Sequence, residues 1–251
     1  VRLSDMKKPR VAFFDFACCE GCQLQVANMG ETVIDILGLI DVVEWREVMS
    51  EKWNGKLDVA IVEGSITDPH AVERVKRIRK NSKVVIALGS CATIGGVNCM
   101  KNNYVLDEIR EYVYGNSYKF FPTETTKAVH HVVKVDYFVN GCPVYIPEFI
   151  AVLKAVLQGI PYYVPDYPVC VECKLNENIC MYDRKVTCLG PVTRAGCNSW
   201  CINNGNICYG CRGIVSNPNE KGAKDVIAKY NISLEMILNK MNMYNKCREI
   251  G

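Results

Sequence analysis

The chain has 251 residues, of which 15 are cysteine, 49% are hydrophobic and 23% are charged, with a formal net charge of +3. These proportions exclude intrinsic disorder and a small disulfide-stapled module, and so weak a charge gives no case for nucleic-acid binding. No apolar run approaches the ~18 residues of a membrane span, and the charged residues crowding residues 1–16 are not the layout of a cleavable secretory signal.

In chain order, residues 11–16 read as a first strand, and a helical pattern follows through Val26, Met29, Val33 and Leu37. Residues 42–48 and 59–62 read as the next two strands. Asp68 followed by Pro69 supplies an N-cap and a first-turn proline. The helix they open carries Arg74, Lys76, Arg77, Arg79 and Lys80, a pattern that reads as a solvated face. Residues 84–88 form a buried-type strand, 104–114 a helix, 132–139 a strand and 147–157 a helix. This alternation is that of an α/β domain with a parallel sheet. Pro161, Pro165 and Pro168, interleaved with tyrosines, mark a boundary, so the chain is expected to divide into residues 1–160 and 161–251. The second part holds eight cysteines from Cys170 to Cys211 with little apolar periodicity, a composition that needs metal to fold. It ends in a helical pattern through Leu234, Ile237, Leu238 and Met241, whose methionines read as packing groups.

An odd number of cysteines cannot pair off within one chain, and without a signal the expected compartment is reducing, where thiols stay free for metal. Cys19 and Cys22, Cys91, and Cys142 each follow a predicted strand. In an open parallel sheet the carboxyl ends of the strands share one edge, so these four thiols can converge there. Gly21, Gly89 and Gly141 suit tight turns that bring backbone N–H groups to the sulfurs. Four such thiolates fit an iron–sulfur cubane. Zinc competes, but its ligands usually come from two short knuckles, not from three strand ends. The plainest alternative is that Cys91 and Cys142 are small buried residues.

The later eight divide in order into Cys170, Cys173, Cys180 and Cys188, then Cys197, Cys201, Cys208 and Cys211, enough for two more four-thiolate sites. Joining Cys170 and Cys173 to Cys208 and Cys211 as a zinc ribbon is the alternative, and it strands the other four. Cys18, Cys99 and Cys247 are left as spares, and Cys18 could compete with Cys19. Three all-cysteine 4Fe-4S sites would shift the formal +3 to about −3. His70, His130 and His131 have no nucleophile partner and read as surface groups, and no nucleotide or flavin motif is present.

The ordered combination of Cys19-Glu20-Gly21-Cys22-Gln23-Leu24, Val62-Glu63-Gly64-Ser65, Gly89-Ser90-Cys91-Ala92, Gly141-Cys142-Pro143 and the stretch from Cys188 through Gly190, Arg194 and Gly196 to Cys197 resembles the small, electron-transferring subunit of nickel-iron hydrogenases. The cytoplasmic forms, sulfhydrogenase-delta-like, are the nearest in pattern. The resemblance implies a flavodoxin-like domain holding a proximal 4Fe-4S cluster on Cys19, Cys22, Cys91 and Cys142. It also implies a smaller domain with a medial cluster on Cys197, Cys201, Cys208 and Cys211 and a distal one on Cys170, Cys173, Cys180 and Cys188. Many relatives carry His at the position of Cys170 and Pro at that of Cys201, so the medial site here should be 4Fe-4S, not 3Fe-4S. Val144 stands where the family pattern has a second proline, which puts a local turn in doubt.

The resemblance further implies a hydrogen-cleaving large subunit packed over the strand-end edge and an electron-accepting iron–sulfur or flavin subunit, NAD(P)-linked or other, in the cytoplasm. A heterodisulfide-reductase-linked or deazaflavin-linked hydrogenase ranks second. The rivals outside that class are a zinc-folded interaction module and the cluster-bearing subunit of respiratory complex I, which has no equivalent of the eight-cysteine region.

Overall fold

In a computed structural model, which describes residues 8–247, the chain builds one five-stranded parallel sheet. The strands are β1 (Arg10–Asp15), β2 (Asp41–Trp45), β3 (Leu57–Glu63), β4 (Ser82–Leu88) and β5 (Tyr137–Val139), in the order β2-β1-β3-β4-β5. This is the flavodoxin-like order, with its switch point between β1 and β3. The reading made for the first seven residues lies outside the described ones.

Successive side chains of a strand point to opposite faces, and both faces here are covered. Val11 and Phe13 of β1 join one core with Ile61, Ile86 and Leu88. Ala12 and Phe14 join the other with Val62, Val85 and Ala87. The first core is closed by α1 (Gly21–Ala27), α2 (Glu31–Leu39) and α6 (Ile146–Gln158), and the second by α3 (Pro69–Asn81) and α4 (Gly89–Ile94). α5 (Leu106–Tyr114) lies on the excursion between β4 and β5. Asp68 caps α3, its carboxylate accepting from the Ala71 N–H at 2.9 Å, with Pro69 in the first turn.

Two expectations are corrected. The helical pattern after β1 is broken into α1 and α2 by Gly30, whose φ of 64° no continuing helix tolerates. The strand expected over 132–139 shrinks to Tyr137–Val139, because Val132, Val133 and Val135 pack side chains onto the second core as irregular chain instead of pairing.

Beyond α6 the chain forms a third core from Val169, Met181, Tyr182, Ile202 and Ile207, with Cys173, Cys188 and Cys208 among its buried members. Its helices are α7 (Val169–Leu175), α8 (Trp200–Asn203) and α9 (Glu220–Tyr230). The last helix, α10 (Leu234–Asn245), returns to the sheet and packs on α4 and on the turn at Val97–Asn103. Cys99 and Cys247, two of the three spare cysteines, are joined there as a buried disulfide with a Cα–Cα distance of 5.6 Å. The other thirteen are free. No helix among the described residues is long and apolar enough to cross a membrane.

Candidate metal centres

Three strand ends bring Cys19, Cys22, Cys91 and Cys142 together. Burial pushes the Cys91 thiol up to about 12, aided by the neighbouring Cys142, Cys19 and Glu63. Burial also raises Cys22 and Cys142, with Glu63 adding to each. Cys19 and Cys142 are exposed, so the set lies at an open edge of the sheet. Cys18 stands beside it, pushed up to about 12 by burial, Glu63 and Cys91.

The loops are shaped around the sulfurs. Gly89 has φ 80°, and a Cβ there would lie 2.4 Å from Cys22 Sγ. Gly141 has φ 138°. Gly21 corrects the turn assignment, since the left-handed position is Glu20, with φ 62°, while Gly21 opens α1 and leaves room for Cys19 Sγ, 3.3 Å from where a Cβ would be. At Val144 the departure from the proline pattern leaves an N–H facing the Cys22 sulfur, which a proline would lack.

The later cysteines crowd one another, and Cys201 faces both Cys188 and Cys142. Cys170 is pushed up to about 12 by burial and by Cys188, Cys173 and Cys180. Cys211 is pushed up to about 12 by burial and by Cys197, with Cys201 also adjoining. Burial holds Cys208 well above its ordinary value, and Cys211 and Cys188 add to this.

Peptide N–H groups link one set to the next. The Cys208 N–H donates to Cys188 Sγ at 3.2 Å, and the Cys142 N–H faces the Cys211 sulfur. Further N–H donors reach Cys188 from Gly190 and Cys197 from Ser199 and Trp200. Such donors stabilise thiolate over thiol, while burial opposes it, so a buried set of this kind needs a cation to hold its charge.

The residues fit iron–sulfur clusters in the chemistry of the donor set: four sulfurs per set, no nitrogen or carboxylate demanded, and N–H groups aimed at the sulfurs. Among the described residues no group of three or more Cys, His, Asp or Glu side chains is arranged to hold a single metal ion. A zinc ion with Zn–S bonds of about 2.3 Å would need its four sulfurs drawn tightly round one point. A cubane spreads its ligands over four corners.

Sequence reasoning left several residues without a role. Glu63 is 2% exposed and its carboxylate accepts from the Cys22 and Gln23 N–H groups, each at 3.1 Å. It belongs to the quoted Val62-Glu63-Gly64-Ser65 stretch, which marked the position but not the contact. Tyr244, on the helix whose methionines alone read as packing groups, brings its hydroxyl to the Cys142 sulfur. Arg212 is fully buried and paired with Glu148. His130 is exposed and His131 half-buried, their rings packed together.

A family model described as NADH ubiquinone oxidoreductase, 20 Kd subunit, matches residues 19–156. That span contains the strand-end thiols and stops before the eight-cysteine region. The delta subunit of sulfhydrogenase 2 from Pyrococcus furiosus is 36% identical over 219 residues, covering 87% of this chain and 92% of that protein. A subunit of the F420-non-reducing hydrogenase vhu from Methanocaldococcus jannaschii is 29% identical over 270 residues, covering 94% of this chain and 93% of that protein. Among solved structures, a chain of the NiFeSe hydrogenase of Dm. baculatum superimposes with a TM-score of 0.55 at 19% identity, covering 87% of this chain and 98% of that one.

Proposed function

The chain belongs to the NADH ubiquinone oxidoreductase 20 kDa subunit family and is an electron-transfer subunit of a hydrogenase, and from that premise we propose that it holds three 4Fe-4S clusters in a line between a hydrogen-cleaving large subunit and an acceptor subunit. In this reading Cys19, Cys22, Cys91 and Cys142 hold the proximal cluster, Cys197, Cys201, Cys208 and Cys211 the medial one, and Cys170, Cys173, Cys180 and Cys188 the distal one. Each cluster would supply one-electron storage at low potential. The observation that carries the proposal is the pair of contacts between sets: the Cys208 N–H donates to Cys188 Sγ at 3.2 Å, and the Ser90 hydroxyl, beside Cys91, donates to the Cys211 carbonyl.

The chain's own residues contribute position and charge. Burial of Cys22, Cys173, Cys188 and Cys208 keeps water off those sulfurs, and the N–H donors support the thiolate form that cluster ligation needs. The exposed Cys19 and Cys142 mark the edge over which the large subunit packs. The division near residue 160 is part of the same proposal, with the sheet serving the proximal set and the third core serving the other two. The acceptor is an iron–sulfur or flavin subunit, NAD(P)-linked or other, and the assembly works in the cytoplasm. One similar protein is named F420-non-reducing, which supports an acceptor other than a deazaflavin.

Iron and acid-labile sulfide analysis of the purified chain tests this. About twelve of each are expected from three cubanes, and stoichiometric zinc without sulfide would overturn it.

A further inference from the structure

Arg212 follows Cys211 directly and is 0% exposed. Its guanidinium spends its donors on three pieces of chain. Nε donates to the Ala195 carbonyl at 2.7 Å, two residues before Cys197. One terminal nitrogen donates to the Asn140 carbonyl at 2.6 Å, two residues before Cys142. The two terminal nitrogens grip Glu148 of α6 as a fork, at 2.6 and 2.7 Å. In return the Asn140 side-chain amide donates to the Arg212 carbonyl at 2.7 Å, and the Ser90 hydroxyl, beside Cys91, donates to the Cys211 carbonyl.

The chain has made room for this pair. Gly196 has φ 110°, and a Cβ on it would lie 2.3 Å from an Arg212 nitrogen and 3.0 Å from a Glu148 oxygen. A buried ion pair is a weak source of stability, since desolvation of the two charges offsets most of their attraction and a well-packed apolar pair would serve as well. What an apolar pair could not supply is the fork that fixes two thiol sets against each other, or a positive charge beside one of them. That charge acts on the Cys197 and Cys211 sulfurs. The acidic group facing Cys197 is Glu172, whose carboxylate accepts from the Gly196 and Ser199 N–H groups at 2.7 and 3.0 Å.

We propose that Arg212 is a positioning residue that locks the medial thiols to the strand-end thiols and, by its buried charge, raises the reduction potential of the medial centre, with Glu148 tempering that charge. This rests on the cluster assignment given above. A positive charge near a centre that becomes more negative on reduction favours the reduced form, and a negative charge disfavours it.

The test is a redox titration of the intact hydrogenase complex followed by EPR, with iron content measured on every variant. Arg212→Met should move the medial midpoint to more negative potential, so that less than half of the centre is reduced where the unaltered protein is half reduced. Glu148→Gln, which keeps one accepting oxygen of the fork and removes the negative charge, should move it the opposite way. Arg212→Lys should stay closest to the parent midpoint while weakening the magnetic interaction between the reduced medial and proximal centres. Opposite shifts are not expected of a purely structural staple. Shifts of the same sign in Arg212→Met and Glu148→Gln, or no shift in Glu148→Gln with full iron, would overturn the proposal. If Arg212→Met does not assemble, Glu148→Gln and Arg212→Lys still decide it. Absence of a medial signal in the unaltered complex would instead remove the cluster assignment itself.

Discussion

At the scale of single residues, the thiol sets depend on what their neighbours lack. Gly89 combines a left-handed backbone with a missing Cβ directly over Cys22 Sγ. On the cluster assignment proposed above, Gly89→Ala should displace Cys22 and cost the strand-end site its cluster, with iron falling by about a third while the other two sites stay loaded. Full iron in that variant would show that Cys22 is not a ligand. The cysteines themselves were legible from spacing and from their place after each strand, because thiols at strand ends have one edge on which to meet. Glu63, Tyr244 and Arg212 were not legible in that way. Their roles arise from contacts between segments far apart in the chain, such as the 64 positions between Glu148 and Arg212, and a sequence pattern carries no signal for such distances. Val144 was visible as a departure, but its N–H has value only once the Cys22 sulfur is seen above it.

At the scale of elements, β5 is the weakest part of the sheet and carries one of the four strand-end thiols just beyond it. Three residues pair with β4, and the segment leading into them is held by Asp136, whose carboxylate accepts from the Val85 N–H at 2.9 Å and pairs with Arg79. Arg79 in turn donates to the Ser82 and Lys83 carbonyls, each at 2.7 Å. Asp136→Ala leaves a backbone donor and a cation without this partner. It should cost about 2 kcal/mol in urea unfolding and lower iron at the strand-end site first. An unchanged urea midpoint would mean that the ladder alone holds β5. Four of the five strands and the capped α3 could be read from apolar runs and from the Asp68-Pro69 signal. The break between α1 and α2 could not, because the apolar spacing runs on through Gly30 and only the backbone angle stops the helix.

At the scale of the whole molecule, the chain is closed on itself by the return of α10. The Cys99–Cys247 disulfide encloses 148 residues of separation, including Cys142 and all eight later cysteines. On the chain-entropy account, closing so long a loop stabilises by about 5 kcal/mol as an upper figure. Cys247→Ser should therefore lower the urea midpoint and expose the α10 segment to protease, and a dithiol reductant should do the same to the unaltered protein but not to the variant. Identical midpoints with and without the bond would show that packing of α10 on α4 suffices by itself. The same closure sets a timetable for synthesis. At about 5 to 20 residues per second, the ribosome delivers Cys247 roughly 7 to 30 s after Cys99, given the 148 positions between them. Until then Tyr244 cannot reach Cys142, and the nascent sheet presents its sulfur-lined rim uncovered to whatever delivers iron.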